Sequence, residues 1–287
     1  MSARRIAIVG AGTIGAGVAQ LVAEHGCEAV LVDHDPSALE RATVTMRRGF
    51  QLARLQRRTT ASPGELLARV RLTGDLSALG EADFVIENVS ERWSVKEEAY
   101  RRFDAICAPE TIFAANVSAI PIARIAAVTT RPSRVAGVHF MNPPSAIATV
   151  EVIRSPATSD ETITRITSLL ESLGRRPVVV RDAVGFVINR VLMGAINEAA
   201  AVVAEGTASA PDVDRLFQGC LGHKMGPLRT ADLIGIGTIV DTLEVLRDAY
   251  GERFAPCPLL EEMIRDGRLG RKTGRGFYNY DSEEAGE

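Results

Sequence analysis

Short apolar runs alternate with longer amphipathic stretches along the first two thirds of the chain, and then the runs stop. They fall at 5–9, 29–33, 70–73, 84–87, 111–115, 134–139, 148–153 and 177–180. Runs this short and this continuously apolar read as strands buried on both faces, and helical stretches between them predict βαβ units in a mainly parallel sheet. Beyond Asp182 the pattern changes to helical periods over 184–205, 210–221, 231–250 and 258–266. The expected fold is therefore α/β over 1–182, followed by an all-helical domain over 183–287. An Arg-rich helical stretch from Pro36 to about Thr59, a turn at Ser62-Pro63-Gly64 and another short helix interrupt the rhythm, predicting an inserted helical arm over about 36–68. In the helical domain Val187, Val191, Ile196 and Ala200 form an apolar face suited to the core or to a subunit contact. The acidic stretch 281–287 is expected to fray.

Composition narrows the class. Lys and Arg number 33 against 36 Asp and Glu, so the net charge of −3 supplies no broad field for nucleic acid or an anionic membrane. Cys27, Cys107, Cys220 and Cys257 match no zinc or redox spacing, which predicts free thiols in a reducing compartment. The uncharged stretch 6–23 behind Arg4 and Arg5 has the length of a membrane span, but Gly10, Gly12, Gly15 and Gly17 fit a strand, turn and helix better. A cytoplasmic location is expected, and two glycosylation sequons, at Asn88 and Asn116, are set aside on that ground. His25, His34 and His223 share no ligand spacing with one another or with Cys and carboxylates, so no metal site is expected.

Gly10-Ala11-Gly12-Thr13-Ile14-Gly15 follows the first run and opens a helix. Its glycines allow a tight turn and close backbone approach to a pyrophosphate, which the helix N-terminus then meets. Asp33 ends the second run about 20 residues on, where a carboxylate accepts the ribose hydroxyls. Strand, loop, helix and acid together predict a Rossmann-type domain, and His34 and Asp35 in place of Arg favour NAD over NADP.

His139 ends the sixth run in Gly137-Val138-His139-Phe140-Met141-Asn142-Pro143, at the edge where open α/β sheets bind ligands. Glu151, on the next run, is placed to hold the ring and stabilise its imidazolium. Because imidazole changes charge near neutral pH, the pair fits a general base taking a hydroxyl proton during hydride transfer. Ser118, in Asn116-Val117-Ser118-Ala119, reads equally as a donor to the reacting oxygen or as a cap for the helix near Pro121. Asn189, on the first helix after the sheet domain, reads as a residue reaching across the cleft or as a packing residue. Gly185 just before it is a candidate pivot.

From the glycine loop to Gly270-Arg271-Lys272-Thr273-Gly274-Arg275-Gly276-Phe277-Tyr278, nearly the whole chain resembles the L-3-hydroxyacyl-CoA dehydrogenase family, including Val150-Glu151-Val152 after the strand-end His. The resemblance implies that His139 and Glu151 are the catalytic pair and that Ser118 and Asn189 position the substrate oxygen. It also implies that Asn142 lines the pocket, that Glu91, Lys96 and Asn116 lie near the NAD cofactor, and that the helical domain forms a homodimer. Fatty-acid-degrading members read Asn-Thr-Ser-Ser where this chain has Asn116-Val117-Ser118-Ala119, and carry a basic or bulky residue at Ala148 and Thr149. The runs 87–93 and 223–228 look more like the branch of polyketide pathways that oxidises a glyceryl-type group on acyl carrier protein. Arg47, Arg48, Arg54, Arg57 and Arg58 are a patch for CoA phosphates or an acidic carrier protein, against a merely solvated surface. The expected activity is NAD-dependent oxidation of an L-3-hydroxyacyl thioester on CoA or a carrier. A dehydrogenase of a free small 3-hydroxy acid and a non-catalytic NAD-binding protein are the competing readings.

Overall fold

The computed structural model describes residues 5–280; the acidic stretch 281–287 lies outside the described residues. Two compact units form, one through Ala183 and the other from Val184.

The first unit is built on eight strands: β1 (Ile6–Val9), β2 (Ala29–Val32), β3 (Val70–Thr73), β4 (Phe84–Glu87), β5 (Ile112–Ala115), β6 (Val135–His139), β7 (Thr149–Arg154) and β8 (Arg176–Arg181). They form one sheet in the order β3-β2-β1-β4-β5-β6-β7-β8. Every neighbouring pair is parallel except β6 and β7, which run antiparallel with His139 directly opposite Glu151. The order reverses between β1 and β4, the switch point at which such sheets open a crevice beyond their carboxyl ends. Five of the first six strands are fully or almost fully buried, as their apolar runs require.

Helices α1 (Thr13–Glu24), α2 (Pro36–Leu55), α3 (Pro63–Leu67), α4 (Trp93–Ile106), α5 (Ile122–Ala126) and α6 (Asp160–Ser172) complete the unit. Asp35 caps α2 by accepting from the Ser37 amide at 2.9 Å, and a reciprocal Ser62–Glu65 capping box starts α3. The inserted helix α2 buries Ala42, Met46, Phe50 and Ala53, positions spaced on one helical face. Met46 and Phe50 join Val18 and Leu21 of α1 in the main core, so the insertion is a packed layer of the domain.

The second unit contains α7 (Ile188–Ala204), α8 (Ala210–Leu221), α9 (Pro227–Ile234), α10 (Ile236–Tyr250) and α11 (Pro258–Arg265). The single helix expected over 231–250 is two, because Gly235 sits at φ +101°, outside the helical region, and breaks the run. Met193, Ile196, Ala200, Ile239, Leu243 and Leu260 make its core. The apolar face of α7 therefore divides: Ile196 and Ala200 are buried, whereas Val187 and Val191 stay 48% and 66% exposed. Gly185, the candidate pivot, sits at φ +71° where a Cβ would lie 2.7 Å from Leu246, and the Tyr250 hydroxyl donates to the neighbouring Val184 carbonyl at 3.1 Å. Buried Asp232 accepts from the Phe277 and Tyr278 amides, both at 2.9 Å, and so fixes the glycine-rich terminal segment.

Candidate active site

The register of the sheet sets one row of residues level: Val32 pairs with Val9, Val9 with Glu87, Glu87 with Ala115, and Ala115 with Gly137. The segments that follow these strands carry most of the expected first-domain site residues, and they emerge together at the carboxyl edge.

Gly10 turns at φ +95° with its amide donating to Val32 O at 2.8 Å, and a Cβ there would collide with the Asn88 carbonyl at 2.6 Å. Gly15 lies against the Gly10 carbonyl. Gly12 differs, because a Cβ on it would meet nothing within 4 Å. Packing does not demand glycine at position 12; open space above the backbone is what an approaching pyrophosphate needs. Gly12 caps α1 without a side-chain hydrogen bond, and Thr13 beside it is exposed, with Ile14 half-buried. The first amides and positive end of α1 therefore suit an anion, and the loop fits NAD.

Asp33 anchors this loop, its two oxygens accepting from the Ala11 amide at 2.7 Å and the Asp35 amide at 2.9 Å. Each oxygen retains a lone pair with which to accept from a ribose hydroxyl. Asp35 is the second carboxylate expected to repel a 2′-phosphate. Hydrogen bonds from the Ser37 hydroxyl and amide hold the Asp35 carboxyl below its ordinary range, and Arg41 sits 3.2 Å from it, offsetting its charge. Asp33→Asn is expected to raise KM for NAD by roughly 10- to 100-fold, the weight of a hydrogen bond to a charged group, with kcat little changed. Steady-state kinetics at saturating substrate checks this; an unchanged KM would remove Asp33 from the cofactor site.

The loops after β4 and β5 are tied from beneath by a buried ion pair. Lys96 of α4 and Glu87 of β4 are both 0% exposed, with Nζ 2.7 and 2.9 Å from the two carboxylate oxygens. Nζ also reaches the carbonyls of Val89 at 3.4 Å and Asn116 at 3.3 Å. Burial pushes the Glu87 carboxyl up, while Lys96 pulls against it. Lys96, expected near the cofactor, thus offers no surface for direct contact; it braces the backbone of both loops. Asn116 continues the brace: Nδ2 donates to Asn88 Oδ1 at 2.9 Å, and Oδ1 accepts from the Phe140 amide at 3.2 Å.

Glu91 pins the next residues by accepting from the Ser118 and Ala119 amides at 2.7 and 3.0 Å. Ser118 is not the cap of α5. Asp182 does that work from a distance, accepting from the Ile122 and Ala123 amides at 3.0 and 2.7 Å. Ser118 itself sits at the carboxyl edge of β5, the neighbour of β6, with its amide held by Glu91.

His139 and Glu151, paired across the antiparallel strands, bring Nδ1 and Oε2 to 2.7 Å. They are 5% and 6% exposed, so the hydrogen bond is sheltered from water and strengthened accordingly. A carboxylate acceptor favours the tautomer with hydrogen on Nδ1, which places the basic lone pair on Nε2. Asn142 follows on an exposed turn with a cis Asn142–Pro143 peptide. Asn189 lies in the first turn of α7, in the second unit.

Glu87 and Asp182 went unnoticed as site-forming residues. Glu87 carried a signal, a charge ending an otherwise apolar run nine residues before Lys96. The partners of Asp182 lie about 60 residues away in sequence and gave none.

Residues 5–183 match the model of the 3-hydroxyacyl-CoA dehydrogenase NAD binding domain, and residues 185–280 that of the family's C-terminal domain. A Bacillus subtilis protein named "Probable 3-hydroxybutyryl-CoA dehydrogenase" is 41% identical over 99% of both chains. The crystal structure of (S)-3-hydroxybutyryl-CoA dehydrogenase from Ralstonia eutropha is 38% identical and superposes with a TM-score of 0.93, over 98% of this chain and 100% of that one. FadB2 of M. tuberculosis is 33% identical with a TM-score of 0.94 over the same shares. A dinucleotide loop backed by Asp33, a buried imidazole–carboxylate pair at the same sheet edge and these matches along the chain lead to one assignment: the chain belongs to the 3-hydroxyacyl-CoA dehydrogenase family, as an NAD-dependent oxidoreductase.

Proposed function

We propose that the protein oxidises the hydroxyl of a short L-3-hydroxyacyl-CoA to the 3-oxoacyl thioester. The observation that carries this reading is the buried 2.7 Å contact between His139 and Glu151 at the carboxyl edge of the sheet. Bound NAD supplies the hydride acceptor. His139 Nε2 takes the hydroxyl proton as the carbon–oxygen double bond forms, and Glu151 stabilises the resulting imidazolium through Nδ1. The Ser118 hydroxyl, held by Glu91 through its backbone, is suited to hydrogen-bond the reacting oxygen. The 3-hydroxybutyryl-CoA of the relatives' names supports a short acyl chain.

A carrier-protein-linked glyceryl group is the second reading, and the outward face of α2 favours it. Val44, Leu52 and Leu55 are 51%, 51% and 80% exposed there, among exposed Arg47, Arg48 and Arg54, a mixed apolar and basic surface suited to an acidic partner helix. NADH formation with 3-hydroxybutyryl-CoA and with a glyceryl-loaded carrier protein decides between them. Turnover of the CoA thioester alone supports the first; turnover of the carrier-bound group alone, weakened by Arg47→Glu with Arg48→Glu, supports the second. Turnover of the free hydroxy acid alone would overturn both.

A further inference from the structure

The connection between β6 and β7, residues 140–148, begins immediately after His139 and leads directly into the strand that carries Glu151. It is the segment through which the catalytic pair is joined, and it presents Asn142 at an exposed turn. Nine residues without a regular element are mobile by default unless their backbone polar groups are engaged.

Here several are engaged by two arginines from other parts of the sheet domain, one of them held in turn by Glu24. Arg175, between α6 and β8, donates from one guanidinium nitrogen to the carbonyls of Pro144, Ser145 and Ile147 at 3.2, 3.5 and 3.0 Å, and from Nε to Leu173 O at 3.1 Å. Arg58, just beyond α2, donates to the same Ser145 carbonyl at 3.2 Å and to Glu24 Oε2 at 2.8 Å. Glu24 ends α1, has a side chain only 5% exposed, and is fixed by Gln20 Nε2 on its other oxygen at 2.6 Å. Arg58 and Arg175 converge on the Ser145 carbonyl and Glu24 holds Arg58, so the three form one cluster. Helix α1 also packs on the connection, so close that a Cβ on Gly17 would lie 2.6 Å from Pro144. Arg58, read from sequence as part of a docking patch, stays at the surface with its side chain 32% exposed, but its guanidinium is tied to Glu24 and the Ser145 carbonyl.

We propose that Glu24, Arg58 and Arg175 form a clamp on the carbonyls of residues 144–147, fixing the connection against which the acyl thioester is placed relative to His139. They are positioning residues: the two guanidiniums hold the carbonyls of Pro144, Ser145 and Ile147 while Asn142 of the same connection stays exposed. The inference rests on the thioester reading for its substrate but not for its geometry.

The test compares Arg58→Ala, Arg175→Ala, Glu24→Gln and Arg58→Lys with wild type, each checked for folding by circular dichroism. Expected is a rise in KM for 3-hydroxybutyryl-CoA of about tenfold in the two alanine variants, with NADH affinity by fluorescence titration unchanged. Arg58→Lys, which still reaches Glu24 and Ser145, recovers most of the loss. Backbone hydrogen exchange in residues 140–148 is expected to accelerate in the alanine variants without added ligand. A wild type inactive on every thioester would overturn the thioester reading alone, and exchange would then decide the clamp. Unaltered exchange in both alanine variants, or a KM increase matched by an equal loss of NADH affinity, would overturn the clamp.

Discussion

Replacing His139 by Gln is expected to lower kcat by about 10²- to 10⁴-fold, the usual weight of a positioned general base, with NADH affinity unchanged. Gln is the informative choice because its amide still donates to Glu151, so the carboxylate, 6% exposed, is not left buried without a partner. What it lacks is a nitrogen able to take a proton at neutral pH. Loss of kcat with the Glu151 environment preserved therefore reports proton transfer rather than packing. Glu151→Gln should cost less, because the imidazole remains while its imidazolium loses a counter-charge at 2.7 Å. Stopped-flow absorbance of NADH under single-turnover conditions reads the chemical step directly. A His139→Gln enzyme as fast as wild type in that step would remove His139 as the base.

Most of the strands were legible because a strand buried on both faces has no choice but to be apolar, whereas the largely exposed β3 and β8 were legible from their short β-rich runs between helical stretches. The dinucleotide loop was legible for a related reason: strand, glycine turn, helix and Asp33 are local, and their spacing is set by backbone geometry. His139 and Glu151 were 12 residues apart on neighbouring strands, close enough for register to imply contact. Interactions between distant segments were not legible. Asp182 capping α5, Lys96 beneath two loops and Arg58 on the Ser145 carbonyl each depend on chain segments brought together only by the completed sheet. Arg58 in particular looked like its neighbours, because nothing in a run of arginines shows which one ties down a distant carbonyl. The division at Gly235 was hidden for the opposite reason, since an isolated glycine within a helical period is often tolerated.

Lys96→Met is expected to destabilise the sheet domain by about 3–5 kcal/mol, the cost of removing one partner from a buried ion pair. The Glu87 carboxylate would remain wholly buried with the Val89 amide, 2.6 Å away, as its hydrogen-bond donor. Burial already pushes this carboxyl up against the pull of Lys96, and losing that pull raises it further. The folded variant then holds a proton that the unfolded chain releases, so its stability falls as pH rises from the unfolded carboxylate range toward the raised folded value. Urea unfolding at about pH 5 and about pH 8 should therefore show a larger deficit relative to wild type at the higher pH, above the ordinary carboxylate range. Adding Glu87→Gln removes the buried charge while keeping an acceptor for Val89, and should abolish the extra pH dependence and recover much of the stability. NADH affinity should weaken in Lys96→Met, because the carbonyls of Val89 and Asn116 lose their shared donor in the loops at the carboxyl edge of the sheet. A deficit independent of pH, or one that Glu87→Gln deepens, would mean that Lys96 acts through packing of its alkyl chain and not through its charge.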